Sequence, residues 1–228
     1  MTHRQLTLNL PWREARGRAD FLVTPSNATA LAALDGWAGW PGQKAVLTGA
    51  EGAGKTHLAN VWATASGALV VNAADLGAAD LPALARTGLA VEDADRAPGL
   101  GTQTALFHLH NLLAERRLPL LVTARTPPRD WGTTLPDLAS RMQAAPLIRL
   151  DPPDDTLLRA VMVKQFADRQ IAVSPQVIDF LIPRMTRSLA AVRELVAALD
   201  ARALAEGRAV TRQMAADWFE SPGPFAPT

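Results

Sequence analysis

The chain contains no cysteine, which rules out a disulfide framework and any thiolate-bound metal. Histidine is scarce. His3, His57, His108 and His110 lack metal-site spacing, and His108 and His110 fall on different faces of a helix. Neither sign of charge dominates: 23 Lys and Arg face 22 Asp and Glu, for a formal net charge of +1. No half is strongly basic, so composition gives no support for extensive contact with DNA. No run of 18 apolar residues occurs, and the N-terminus has no signal-peptide apolar region. The expectation is a soluble cytoplasmic protein without membrane contact. No internal repeat is present. What remains is an ordinary globular composition over 228 residues, enough to bury a full core.

One octapeptide is out of the ordinary. Gly49-Ala-Glu-Gly-Ala-Gly-Lys-Thr56 matches G-x-x-x-x-G-K-[ST], between the apolar run Ala45-Val46-Leu47 and a helix-like stretch from His57 to Ala65. That strand–loop–helix setting gives the motif its meaning as a phosphate-binding loop. Gly49, Gly52 and Gly54, with Ala53 between them, let successive backbone N–H groups turn inward around phosphate oxygens. The helix N-terminus at Thr56 and His57 adds partial positive charge. Lys55 can reach the β- and γ-phosphates, and the Thr56 hydroxyl can ligate Mg²⁺. The plain alternative is a Gly-rich turn that caps a helix.

Residues 1–20 form an exposed, polar and basic arm, apart from Leu6, Leu8, Leu10 and Trp12. Ser26 or Asn27 can cap a helix that runs through Leu31 and Leu34 to Gly36. Short apolar strands then alternate with helices: Ala45–Thr48, Ala68–Asn72, Leu89–Glu92, Leu118–Thr123 and Leu147–Leu150. Unalternated strands between helices predict a parallel sheet covered on both faces. After Asp151-Pro-Pro-Asp154 only helical patterns follow. They open on Leu157-Leu158, on Ser174-Pro175, on Leu189, and on Thr211 as a cap. The predicted fold is α/β: a five-stranded parallel sheet sandwiched by helices over residues 21–152, then a small all-helical lid over 153–220 and a loose tail over 221–228.

Further candidates surround the loop. Gly88-Leu-Ala-Val-Glu-Asp93 is an apolar strand ending in two carboxylates. Glu92 would hold Mg²⁺ through water, and Asp93 would polarise an attacking water. Glu in place of the usual Asp lengthens the reach and puts intrinsic hydrolysis in doubt. A merely solvated acidic junction, Glu92-Asp-Ala-Asp95, is the alternative. Thr123, at a strand tip, is a candidate contact for the γ-phosphate. Arg141, near the end of a helix far along the chain from the loop, suits an arginine finger acting in trans. Arg187 and Arg193, six residues apart in the lid, are alternative reporters of the γ-phosphate.

Together these pieces resemble the AAA+ family and, within it, the DnaA group. The likeness rests on GAEGAGKTHLA, on Thr123 to Arg129, on Leu135-Pro-Asp-Leu-Ala-Ser-Arg141 and on Gly207 to Thr211, and it spans about residues 21–219. The reduced build is most similar to the Hda group of DnaA-related regulators, a clamp-binding arm plus an AAA+ module, without a C-terminal DNA-reading domain. Gln5-Leu6-Thr-Leu8-Asn-Leu10 resembles the peptide that docks on the sliding clamp of DNA polymerase III. Taken alone, the tract suits an amphipathic strand on the protein's own sheet edge.

The resemblance implies ADP or ATP with Mg²⁺ as ligand, and weak or no intrinsic ATPase. It implies that Arg141 is offered to ATP held by DnaA on DNA-loaded clamp, shutting down replication initiation. It implies Val23 and Pro25 as an apolar wall beside adenine. Counted back from Arg208, Ala190 falls where the DnaA group has its lid arginine, with Arg187 one turn earlier. No sequence-specific DNA binding is expected, and a homodimer is left open. A helicase-loader-type ATPase and a small-molecule kinase are the competing readings.

Overall fold

The computed structural model describes residues 22–96 and 99–220. Gln5, Leu6, Leu8 and Leu10, the rest of the arm and the tail after Glu220 lie outside the described residues.

Helix α1 (Pro25–Asp35) precedes strand β1 (Lys44–Thr48), the phosphate loop and helix α2 (Lys55–Ser66). Strand β2 (Leu69–Asn72), the single turn α3 (Leu81–Leu84), strand β3 (Leu89–Glu92) and helix α4 (Leu100–Glu115) follow. Strand β4 (Leu120–Ala124), helix α5 (Pro136–Ala144) and strand β5 (Leu147–Arg149) complete the sheet. Its order is β2-β3-β4-β1-β5, and every pair is parallel. All five residues of β1 and of β4 are buried, as central strands covered on both faces must be.

Successive side chains feed opposite cores. Ala45, Leu47, Ala90 and Leu121 pack with α1 and α2, whereas Val46, Leu89, Val91 and Val122 pack with α4 and α5. A third core is all-helical. It joins α6 (Asp155–Asp168), α7 (Pro175–Leu181), α8 (Leu189–Glu206) and α9 (Arg212–Glu220) through Leu158, Phe166, Leu181, Val196 and Met214.

Two local expectations need correction. The cap of α1 is Thr24, not Ser26 or Asn27. Pro25 suits the first helical position, so the helix starts earlier, and the Thr24 amide donates to Asn27 Oδ1 at 2.9 Å. Strand β4 starts at Leu120, not Leu118, because the Leu118 amide still donates to Leu113 O at 2.8 Å in closing α4.

The helical segment is tied to the sheet layer through Asp154, the cap of α6. Its carboxylate accepts from the Leu157 amide at 2.8 Å and from the Ser26 amide at 3.2 Å, and its own amide donates to Ser26 Oγ. Desolvation pushes this carboxyl up, but those hydrogen bonds outweigh it and hold it below its ordinary value.

Candidate functional site

The parallel register brings the C-terminal ends of β1, β3 and β4 to one edge of the sheet. Leu47 lies opposite Thr123, and Thr48 opposite Ala124. The phosphate loop leaves β1 at that edge, where the Gly49 amide donates to Ala124 O at 3.3 Å. Gly52 and Gly54 adopt φ of +72° and +111°, a region in which a side chain would strain the backbone. Gly54 caps α2, so the loop delivers its amides to a helix N-terminus. Ala53 is buried, whereas Thr56 and His57 are exposed on the first turn.

Lys55 is buried, and its Nζ donates to the carbonyls of Gly49 at 2.8 Å and Ala50 at 3.0 Å. The lysine thus staples the loop while holding a positive charge inside it. Desolvation lowers its pKa. Asp93, Asp95 and Glu51 act in the opposite direction, and Arg125 adds to the lowering.

Glu92 ends β3 with Oε1 buried and without a hydrogen-bond partner. Such an orphaned oxygen fits a cation reached through water. Among the described residues no cluster of three His, Asp or Glu could hold a metal by itself. A divalent cation shared by Thr56 and Glu92 would therefore complete its shell from phosphate oxygens and water, as Mg²⁺ does in such sites. Asp93 follows in the left-handed region at φ +55°, and its amide donates to Thr123 Oγ1 at 3.2 Å. Thr123 is 1% exposed, so its hydroxyl fixes the turn that presents Asp93.

Three residues outside the predicted set join this edge. Asp95 accepts from the Arg125 amide at 3.0 Å and from its Nε at 3.4 Å, and Arg125 and Arg96 each face Glu51 of the loop at 3.8 and 3.7 Å. The signals were the acidic run after Glu92 and the Thr-Ala-Arg-Thr tract after Leu118. Neither reveals its partners, which lie tens of residues away.

The lid meets the loop directly. The Leu189 amide donates to Gly52 O at 2.8 Å, and a Cβ on Gly52 would lie 1.9 Å from Ser188 Oγ. Ala190 sits against the same point, 3.3 Å from that position. Arg187 pairs with Asp155 at 2.8 Å, and Arg193 is exposed on α8. Val23 is half-buried against the α1–α2 core, and Pro25 is exposed at the start of α1.

Arg141 lies elsewhere. It is exposed on α5, with Cζ 5.7 Å from the centroid of Phe107 on α4, and no ion pair to it forms among the described residues. It acts electrostatically on Lys44, the first residue of β1, and on buried His110. The loop follows the other end of β1, so Arg141 stands away from its own chain's phosphate site.

Burial pushes the His110 imidazole down from 6.5 to about 4, and Lys44 and Arg141 add repulsion that a hydrogen bond with Asn111 only partly offsets. Folded His110 is neutral across that window, whereas the unfolded chain takes up a proton. Stability should therefore fall as pH drops from 6.5 towards about 4, on the order of 3 kcal/mol from this group. The His110→Gln variant should show a flatter stability curve there in denaturant unfolding. Parallel curves for the two proteins would contradict the assignment.

No family model matches the chain. It is 27% identical over 206 residues to the chromosomal replication initiator protein DnaA 2 of Chlamydia caviae, a match covering 79% of this chain and 44% of that protein. The chain thus spans less than half the length of that relative. Its structure is similar to domain III of the Thermotoga maritima replication initiation protein DnaA, with TM-score 0.73 and 20% identity over 88% of this chain and 93% of the other. AMPPCP-bound DnaA from Aquifex aeolicus is similar at TM-score 0.65 and 16% identity, over 79% and 63% of the two chains. The five-stranded parallel sheet with flanking helices and a helical C-terminal part is an AAA+ fold. Sequence match and fold together make the chain similar to DnaA.

Proposed function

We propose that this chain is an adenine-nucleotide-binding AAA+ regulator of the Hda type, which docks on the DNA-loaded sliding clamp and promotes ATP hydrolysis by DnaA. The observation that carries the reading is the exposed guanidinium of Arg141, without an ion pair among the described residues, standing away from an intact phosphate loop on the same chain. Such an arginine cannot serve its own nucleotide and suits a neighbour's.

In this reading Gly49–Thr56 and His57 hold ADP or ATP. The loop amides and Lys55 neutralise phosphate oxygens. Leu189 bonded to Gly52 keeps the lid seated. Val23 and Pro25 flank adenine. Mg²⁺, held by Thr56 and by Glu92 through water, would supply charge neutralisation at the phosphates. Asp93, fixed by Thr123, is the carboxylate placed to accept a proton from water. With Glu at position 92, the chain's own turnover is weak, and its main output is hydrolysis in the partner. Gln5, Leu6, Leu8 and Leu10 form the clamp-docking peptide. An extended peptide that buries about two leucines gives a contact on the order of micromolar.

The test combines purified chain, clamp loaded on DNA and ATP-bound DnaA, with phosphate release as readout. The wild-type chain should accelerate release only when DNA-loaded clamp is present. A Gln5→Ala, Leu6→Ala double variant should lose both retention on clamp and acceleration while still binding ADP. Absence of acceleration by the wild-type chain would overturn the proposal.

A further inference from the structure

Most arginines of the helical lid are neutralised where they stand. Arg159, Arg169, Arg187, Arg202 and Arg208 each pair with a carboxylate. Arg184, Arg193 and Arg212 form no ion pair among the described residues. Two of these three meet on one ring. Arg184 Cζ stands 4.0 Å from the centroid of Phe180, and Arg212 Cζ stands 5.3 Å from it. Arg184 ends the turn after α7, and Arg212 opens α9, so the packing of the lid brings them together. Both are exposed, and Phe180 is half-buried.

The ring that carries them is itself fixed. Phe180 meets Phe219 at 6.3 Å and Phe219 meets Trp218 at 5.0 Å, both edge-on, and all three pack against the lid core. Arg184 Nη1 also donates to Phe180 O at 2.9 Å. Cation–π contact and this bond position the guanidinium groups before a ligand arrives, which lowers the ordering cost of binding. The neighbouring acids are engaged elsewhere: Asp179 by Arg159, and Asp217 by Arg202 and the Gln213 amide. Glu220 closes α9 at the end opposite Arg212.

Two planar forks on one small patch match phosphate oxygens, which accept from a guanidinium in pairs. Because the guanidinium groups already occupy the ring, an unstacked base gains little there, and the main advantage of a single strand is lost. A duplex offers twice the charge density of one of its strands, with a charge about every 1.7 Å of its axis. The geometry points to Arg184 and Arg212 as paired grips for the backbone phosphates of duplex DNA, independent of sequence. Two such contacts are compatible with a net charge of +1, which argues only against an extensive basic face. When the chain docks on loaded clamp, the patch grips the duplex that the clamp encircles, and loaded clamp becomes a better platform than free clamp. That setting rests on the clamp-docking reading, whereas the phosphate contact does not.

The test is fluorescence anisotropy of a short labelled duplex with the full chain, from about 50 to 200 mM salt. Wild-type affinity should fall with salt at a log–log slope of about −2, as for two neutralised phosphates. R184Q and R212Q should each lower affinity about tenfold, equally on unrelated sequences, and each reduce the slope by about one. R86Q removes an exposed arginine from the sheet domain and should leave the slope unchanged. R184K and R212K keep the charge but lose the fork, so affinity should fall while the slope persists. Should a glutamine variant melt early, the lysine variants carry the test. Absence of wild-type binding at the lowest salt, a slope unmoved by R184Q and R212Q, an equal loss in R86Q, or a slope lost in the lysine variants overturns the inference. Tighter binding of a single strand of equal length, or of polyglutamate, assigns the patch to another partner and overturns it too. Retention on free and DNA-loaded clamp separates the two readings. A chain retained on neither, whose duplex binding is still weakened by R184Q and R212Q, removes clamp docking and keeps the phosphate contact. A chain retained equally on both, without duplex binding, removes the phosphate contact alone.

Discussion

Replacing Arg141 with alanine should reduce stimulation of DnaA-bound ATP hydrolysis on the order of 10³-fold, the scale at which an arginine supplied in trans acts. The reason is positional. Arg141 is exposed over Phe107, beside the Lys44 end of β1, whereas the phosphate loop leaves the opposite end. Nothing in its own chain's nucleotide site depends on it, so ADP affinity and clamp retention should stay at wild-type values. Lys44 repels it electrostatically, and no carboxylate of the described residues draws it inward. Arg141→Lys should recover little, because an ammonium lacks the planar fork that spans two phosphate oxygens. Phosphate release from ATP-bound DnaA, with clamp on DNA, reads the effect. Undiminished stimulation by Arg141→Ala would remove this residue from the mechanism.

The second large effect is expected at Lys55. Lys55→Ala should weaken ADP and ATP alike by about 100-fold, near 3 kcal/mol, the scale of one or two charge-assisted hydrogen bonds. Two losses combine. The phosphates lose a cation already desolvated within the loop, and the loop loses the bonds from Nζ to Gly49 O and Ala50 O that hold its shape. Because burial disfavours the charged amine, the ligand-free variant should melt no lower than the wild-type chain by more than a few degrees. Protection by ADP against melting should disappear. Calorimetry returning wild-type affinity for this variant would dissociate the loop from nucleotide binding.

Much of the scaffold was legible because its signals are local. Runs such as Leu-Ala-Val-Glu and Leu-Leu-Val-Thr are apolar without alternation, and only strands buried on both faces need that. The loop was legible because glycine, lysine and threonine at fixed offsets are a backbone requirement carried by neighbouring residues. Boundaries were less legible. Leu118 continues the apolar run of β4, yet its amide closes α4. Pro25 moved the start of α1 ahead of the expected caps.

Sequence alone determined that this chain builds a parallel α/β sheet with a phosphate loop at a strand end, followed by helices, since periodicity and motif spacing are properties of contiguous residues. Only the tertiary structure decided the strand order. It also decided the seating of Leu189 on Gly52, and the meeting of Glu51, Asp95 and Arg125 at one edge. Those contacts join segments separated by dozens of residues. Their geometry is set by sheet register and helix packing, which no local window of sequence contains.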